Sequence, residues 1–147
     1  MYAPRAARND LVATARVAHL ATSDQYARPH VVPIVFAYEH PHLYTPIDRK
    51  PKRVDDWRRL RRVQNVLFNG RASVVIDVWD EDWSRLRYVL LEGTADVLEG
   101  GAERDRAVTL LEAKYPQYVR IPLGDAPVIR MTVEHRAEWS GGSDRPG

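Results

Sequence analysis

The sequence predicts a mainly β domain with inserted helices, about six strands closing as a barrel. Three observations carry that prediction. About six short runs rich in β-branched and other apolar residues recur along the chain. Three further segments carry apolar residues at helical spacing. The 147 residues, 44% hydrophobic and without cysteine, suffice for one domain whose core needs neither disulfide nor metal.

Residues 4–16 read as a first helix, with Leu11, Val12 and Ala15 as a modest apolar face. Residues 17–22 form a short strand, and Ser23-Asp24-Gln25-Tyr26 a turn. Residues 30–38 form a second strand. Pro33 inside it cannot donate to a ladder, so this strand is expected at a sheet edge or bulged. His40-Pro41 turns the chain into a third strand, 43–47. Val54, Trp57, Leu60, Val63 and Leu67, three or four apart, mark a second helix with Arg58, Arg59, Arg61 and Arg62 off its apolar stripe. Asn69-Gly70 ends that helix. Residues 72–79 are apolar on both faces and are expected to be buried on both. Asp80-Glu81-Asp82 is a turn. Residues 86–98 alternate, with Val89, Leu91, Gly93, Ala95 and Val97 against Glu92, Thr94 and Asp96. Residues 103–115 form a third helix, with Ala107, Leu110, Leu111 and Lys114 on one side, and residues 128–139 the last strand. Residues 1–140 are thus read as one domain and 141–147 as a disordered tail. The two-sided apolar strands carry more surface than one barrel buries, which points to a homodimer. Trp57, Trp79, Trp83 and Trp139 are assigned to the core or to that interface.

The formal net charge is only +2, which argues against a generic nucleic-acid or membrane binder. The charge is uneven, however. Residues 49–62 hold eight cations and two carboxylates, a net +6, leaving −4 for the remainder. One concentrated positive site points to one anionic ligand. Arg49-Lys50-Pro51-Lys52-Arg53 follows a strand and precedes a helix, where backbone N–H groups and the helix dipole favour phosphate. The arginines further along are read as a solvated helix face.

No apolar run approaches a membrane span, and nothing at the N-terminus reads as a signal peptide, so a cytoplasmic protein is expected. The phosphate-cradling, dinucleotide-binding and nucleophile-elbow motifs are all missing. His40-Pro41-His42 lacks a third ligand, so no metal site is assigned. His19 and His30 are possible acid–base groups, His30 lying two residues after Arg28.

In order along the chain come Ala18-His19-Leu20-Ala21-Thr22, Arg28-Pro29-His30-Val31-Val32-Pro33-Ile34-Val35-Phe36 and Lys50-Pro51-Lys52-Arg53. Leu60-Arg61-Arg62, Arg71-Ala72-Ser73-Val74-Val75-Ile76-Asp77, Asp80-Glu81-Asp82-Trp83-Ser84-Arg85-Leu86 and Glu92-Gly93-Thr94-Ala95 follow. Together these segments resemble the pyridoxamine-5′-phosphate-oxidase-like split β-barrel proteins, which bind flavins or deazaflavins, over residues 9–139. The Asp-Glu-Asp-Trp-Ser-Arg turn is most similar to an actinobacterial branch that uses the deazaflavin coenzyme F420. The resemblance implies a six-stranded split β-barrel of the FMN-binding kind and a homodimer with cofactor in the groove between subunits. Lys50, Lys52 and Arg53 match the segment that holds the cofactor phosphate. Tyr44, Thr45, Pro46 and Ile47 match the strand that lines the cofactor. His30, Val31, Val32, Pro33 and Ile34 match the strand beside the tricyclic ring, and Trp83, Arg85 and Arg87 approach from the other subunit. The implied activity is hydride transfer between F420 and a small unsaturated or carbonyl-like substrate. No side chain need act as nucleophile, and His30 is the one candidate proton donor. An FMN-dependent oxidase or reductase, and a non-enzymatic cofactor- or tetrapyrrole-binding protein, are the alternatives. The sequence lacks the C-terminal arginine- and histidine-containing segment with which pyridoxamine phosphate oxidases hold substrate, which argues against that reaction. The basic strip is also longer than one FMN phosphate requires, and suits a cofactor with a phosphate and a polyglutamate tail.

Overall fold

The computed structural model describes residues 10–47 and 56–142. Lys50, Lys52, Arg53 and Val54 lie outside it, as do residues 4–9 of the first expected helix and 143–147 of the expected tail. A short helix α1, Leu11–Thr14, is capped by Asp10, whose carboxylate accepts the Val12 N–H at 3.1 Å. The strands are β1 (Ala18–Ser23), β2 (Pro29–Ile34), β3 (Ala37–Glu39), β4 (His42–Pro46), β5 (Arg71–Val78), β6 (Arg87–Leu98) and β7 (Val128–Ser140). Helix α2 spans Arg61–Asn69 and α3 Ala102–Lys114.

The strands form one antiparallel sheet in the order β2-β1-β5-β6-β7-β4-β3. That order dictates closure. β2 and β3 occupy opposite edges, yet only Val35 and Phe36 separate them. Three peptide steps reach at most about 11 Å. The edges therefore meet there, and the sheet curls into a barrel split between β2 and β3. This is the expected mainly β split barrel, with seven strands because the segment 30–38 breaks in two. The break has a local cause. Phe36 turns into the core, and its N–H donates to the Tyr115 hydroxyl at 3.1 Å while its carbonyl accepts from Lys114 Nζ at 2.9 Å. Side chains take the place of a ladder. Pro33 lies on an edge strand, as its missing N–H requires.

Inside the barrel, Leu20, Val74, Ile76, Val89, Leu91 and Met131 pack with Leu43, Ile47 and the α2 residues Val63 and Val66. Each such side chain removed from water contributes about 1.5–3 kcal/mol. A second core lies under α3, where Ala107, Val108 and Leu111 pack on Ala37, Tyr44 and Val128. Gly93 marks a register shift between β6 and β7.

Some expectations are corrected. The single helix expected over the stripe from Val54 to Leu67 is interrupted. A 3₁₀ turn covers Trp57–Arg59, Leu60 is extended (φ −60°, ψ 135°), and α2 starts afresh at Arg61. The restart changes the phase, so Val63 and Val66 are buried and Leu67 is exposed. Gly70 closes α2 at φ 68°, as expected. β5 is buried on one face only: Ala72, Val74 and Ile76 are inside, whereas Ser73 and Val75 are half-buried. Trp79, Trp83 and Trp139 lie outside the core, which leaves the interface half of their expected assignment. Gly141 belongs to the fold, its N–H donating to the Leu86 carbonyl at 2.8 Å. No helix among the described residues is long and apolar enough to cross a membrane.

Candidate functional site

Where β2 leaves the sheet and β4 ends, a cleft of about 230 Å³ opens between Val17, Pro33, Ile34, Val35, Thr45, Pro46 and Arg62. Two prolines fix its backbone walls, and neither offers an N–H. Arg62, half-buried, supplies a cation from the first turn of α2. That helix begins without a side-chain cap, and its dipole adds positive potential there. A second hollow of about 360 Å³ lies on the other flank of the same turn, lined by Tyr26, Arg61, Gln64, Phe68 and the Arg28–Asp24 ion pair among others. Consecutive arginines thus face two cavities. Arg61 has no carboxylate partner among the described residues, whereas Arg58 pairs with Glu99 and Arg59 with Asp56. A larger hollow of about 450 Å³ between Gln117 and Ala126 has no basic lining residue and is unsuited to an anion.

The structure divides the expected site residues. Pro33, Ile34, Thr45 and Pro46 meet in the cleft. His30 lies beside it on the α2 side of β2, opposite Thr22, whose hydroxyl accepts from Asn65 of α2. The His30 Nδ1 is buried and has no hydrogen-bond partner among the described residues. Burial, and then the positive charges of Arg61 and Arg62, hold its pKa below the ordinary 6.5, so the ring is neutral at pH 7. Val32 packs against the barrel core, and Val31 points to solvent.

Others are not brought to the cleft. Tyr44 is buried under α3, its hydroxyl donating to Glu103 Oε2 at 2.7 Å. Burial, and next the bond to Glu103, raise its pKa well above the usual value. Glu103 also takes Arg130 Nη1 at 2.6 Å, and Arg130 holds Asp96 with two nitrogens. Tyr44 is thus a strut between sheet and helix. Ile47 is wholly inside the barrel, its N–H on the Pro127 carbonyl at 2.9 Å. Trp83, Arg85 and Arg87 lie at the turn from β5 into β6 and are not among the residues that line the cleft; there Arg85 faces Asp80 and Asp82. His40 and His42 take different partners, Tyr38 Oη and Thr132 Oγ1.

Sequence reasoning missed Val17, Val35 and Arg62 as lining residues. Arg62 has a signal in the sequence: its spacing makes it part of a solvated helix face, while the length of the basic strip to which it belongs suits a long anion. Lys50, Lys52 and Arg53 are outside the described residues. They follow closely on β4, whose end lines the cleft.

The profile of the pyridoxamine 5′-phosphate oxidase family matches residues 5–140. The chain belongs to this family. No curated protein matches the sequence. Among solved structures, the fold of this family member is similar to a conserved hypothetical protein of Mycobacterium tuberculosis (TM-score 0.73, 17% identity, 96% of this chain and 86% of that one). It is also similar to a heme binding protein of Mycobacterium smegmatis (TM-score 0.71, 20% identity, 95% of this chain), of which this chain spans 54%. A third is an FAD-binding protein of Mesorhizobium loti (TM-score 0.63, 20% identity, 94% of each chain). At these identities the likeness shows the fold alone.

Proposed function

We propose that this protein is a homodimeric oxidoreductase that uses the deazaflavin coenzyme F420, with the ring system against the cleft and the anionic tail along the basic segment from Arg49 to Arg62. The observation that carries this reading is one cavity with apolar proline walls and an arginine at the start of α2. A flat heterocycle bearing a phosphate requires both. The residues fit the group in a second respect. Arg61 opens a further hollow on the same turn, and that leaves a cation for a second anionic group beyond the phosphate. FMN has no such group, which is why the deazaflavin is preferred.

When bound, a deazaflavin supplies a carbon centre that gives or takes hydride. The chain supplies the remainder. Pro33, Ile34 and Pro46 present a rigid apolar surface, and Arg62 with the segment carrying Lys50, Lys52 and Arg53 fixes the anion. His30, held neutral, is the proposed proton relay to a small unsaturated or carbonyl-like substrate. Trp83, Arg85 and Arg87, which do not line the cleft of their own chain, would reach it from a second subunit. A second reading, a non-catalytic tetrapyrrole binder, rests on the neutral imidazole of His30, a side-chain type that heme iron accepts.

Parallel titrations with oxidised F420, FMN and hemin test these readings. The proposal expects F420 to bind with a dissociation constant of about 10 µM or tighter, and at least about tenfold better than FMN. Tight FMN binding without F420 binding would favour an FMN enzyme. A Soret shift with hemin, and no response to either flavin, would favour the tetrapyrrole binder.

A further inference from the structure

The β1–β2 ladder stops at Ala18 and Ile34. The same register carried on sets Val17 opposite Val35 and Arg16 opposite Phe36. Pro33, opposite His19, has no N–H, so that pair is of the non-hydrogen-bonded kind. Alternation then makes Arg16 and Phe36 a hydrogen-bonded pair, in which the Phe36 N–H would donate straight to the Arg16 carbonyl. Another group stands in that bond. The hydroxyl of Tyr115, the residue that follows α3, accepts the Phe36 N–H at 3.1 Å and donates to the Arg16 carbonyl at 2.9 Å. One side-chain oxygen thus separates two backbones. A direct bond brings nitrogen and oxygen to about 2.9 Å, whereas the inserted hydroxyl spreads them to about 5 Å at a tetrahedral angle.

The hydroxyl is held in place from several sides. Tyr115 is 5% exposed, and the Arg16 guanidinium lies 4.5 Å from the centre of its ring. Arg16 Nη1 donates to the Lys114 carbonyl at 3.0 Å. Lys114 Nζ donates to the Phe36 carbonyl at 2.9 Å and lies 3.8 Å from the centre of the Phe36 ring, contacts that suit an ammonium. Burial keeps the Tyr115 hydroxyl above its ordinary pKa of 10, so the proton that reaches Arg16 stays in place. Val17 and Val35 lie between the last ladder pair and this hydroxyl, and both line the cleft. We propose that Tyr115 and Lys114 are positioning residues for the cleft. The Tyr115 hydroxyl, seated by Lys114, sets the separation of Val17 and Val35 and with it the affinity for the bound cofactor. The effect on affinity rests on the reading of the cleft as the cofactor site; the tie itself does not.

The test compares the wild-type chain with Tyr115→Phe, which removes the one oxygen, Lys114→Met, which removes the cation, and Lys114→Arg, which keeps it. Without ligand, hydrogen exchange at the Phe36 amide should rise at least about tenfold in Tyr115→Phe and Lys114→Met and stay within about twofold of wild type in Lys114→Arg. Exchange at Leu91, in the middle of β6, should be the same in all four proteins. Unchanged exchange at Phe36 in Tyr115→Phe and Lys114→Met overturns the tie, and so does an equal rise at Leu91, which marks general loosening. The dissociation constant for oxidised F420 should rise about tenfold in Tyr115→Phe and Lys114→Met and stay within about twofold in Lys114→Arg. Raised exchange at Phe36 with unchanged affinity overturns the effect on the cleft. If wild type binds FMN or hemin and not F420, the F420 reading alone fails, and the group that binds takes its place in the same comparison. Binding of none of the three overturns the role in the cleft as well.

Discussion

Tyr44 and Thr45 are adjacent in sequence and part company in the fold. Strand alternation sends Thr45 toward the cleft and Tyr44 into the second core, where Glu103 holds its hydroxyl. The resemblance placed both on one cofactor-lining strand; the pleat separates them, and the partner of Tyr44 is 59 residues away in sequence. Arg62 shows the reverse. Its charge was visible in the sequence, but its role depends on where α2 starts, and that depends on Leu60 being extended. His30 allows a pH prediction. Its pKa is lower folded than unfolded, so protonation favours the unfolded chain. The stability due to the neutral ring is complete above pH 6.5 and is lost as pH falls through that value toward the folded pKa. Urea unfolding at pH 7.5, 6.5 and 5.5 should therefore show wild type losing more stability on acidification than His30→Gln. A difference between the two that is independent of pH would contradict the placement of His30.

At the scale of elements, strand β6 was legible almost residue for residue. Its period-two pattern is complete, and Val89, Leu91, Gly93 and Ala95 are all buried. Pro33 correctly announced an edge strand. The break at Val35-Phe36 was not legible, because the groups that replace the ladder come from Lys114 and Tyr115, about 80 residues later. The stripe from Val54 to Leu67 misled for a related reason: spacing alone does not show where a helix restarts. Gly93 carries a packing constraint that alternation could not reveal. A Cβ there would lie 1.9 Å from the Thr132 carbonyl oxygen on β7, a backbone atom. Gly93→Ala should therefore cost about 2–3 kcal/mol and lower Tm by about 5–10 °C, read by calorimetry. An unchanged Tm would mean that β6 and β7 are not in this register.

On the scale of the whole molecule, the sequence predicted barrel closure from strand count, and the strand order supplies the geometric reason. It also assigns four tryptophans to the core or to a dimer interface. Trp79, Trp83 and Trp139 are 65%, 69% and 44% exposed, and Tyr88 stacks on Trp139 with ring centres 5.9 Å apart. Together these residues form an aromatic patch at one end of β5, β6 and β7. Such a patch is characteristic of an interface. If it is the homodimer contact, light scattering should give twice the chain mass, and Trp139→Asp should shift the population toward monomer. A monomeric wild-type protein at about 100 µM would remove the dimer, and with it any contribution of Trp83, Arg85 and Arg87 to a partner's cleft.

The cleft itself is tested most directly by fluorescence titration of oxidised F420 into wild type and Arg62→Ala. The account predicts a dissociation constant of about 10 µM or tighter for wild type. It predicts a loss of about 10- to 100-fold on removing the guanidinium, equivalent to roughly 1.5–3 kcal/mol for one charge-assisted contact. No F420 binding by wild type at about 100 µM protein, or equal affinity in the two proteins, would contradict it.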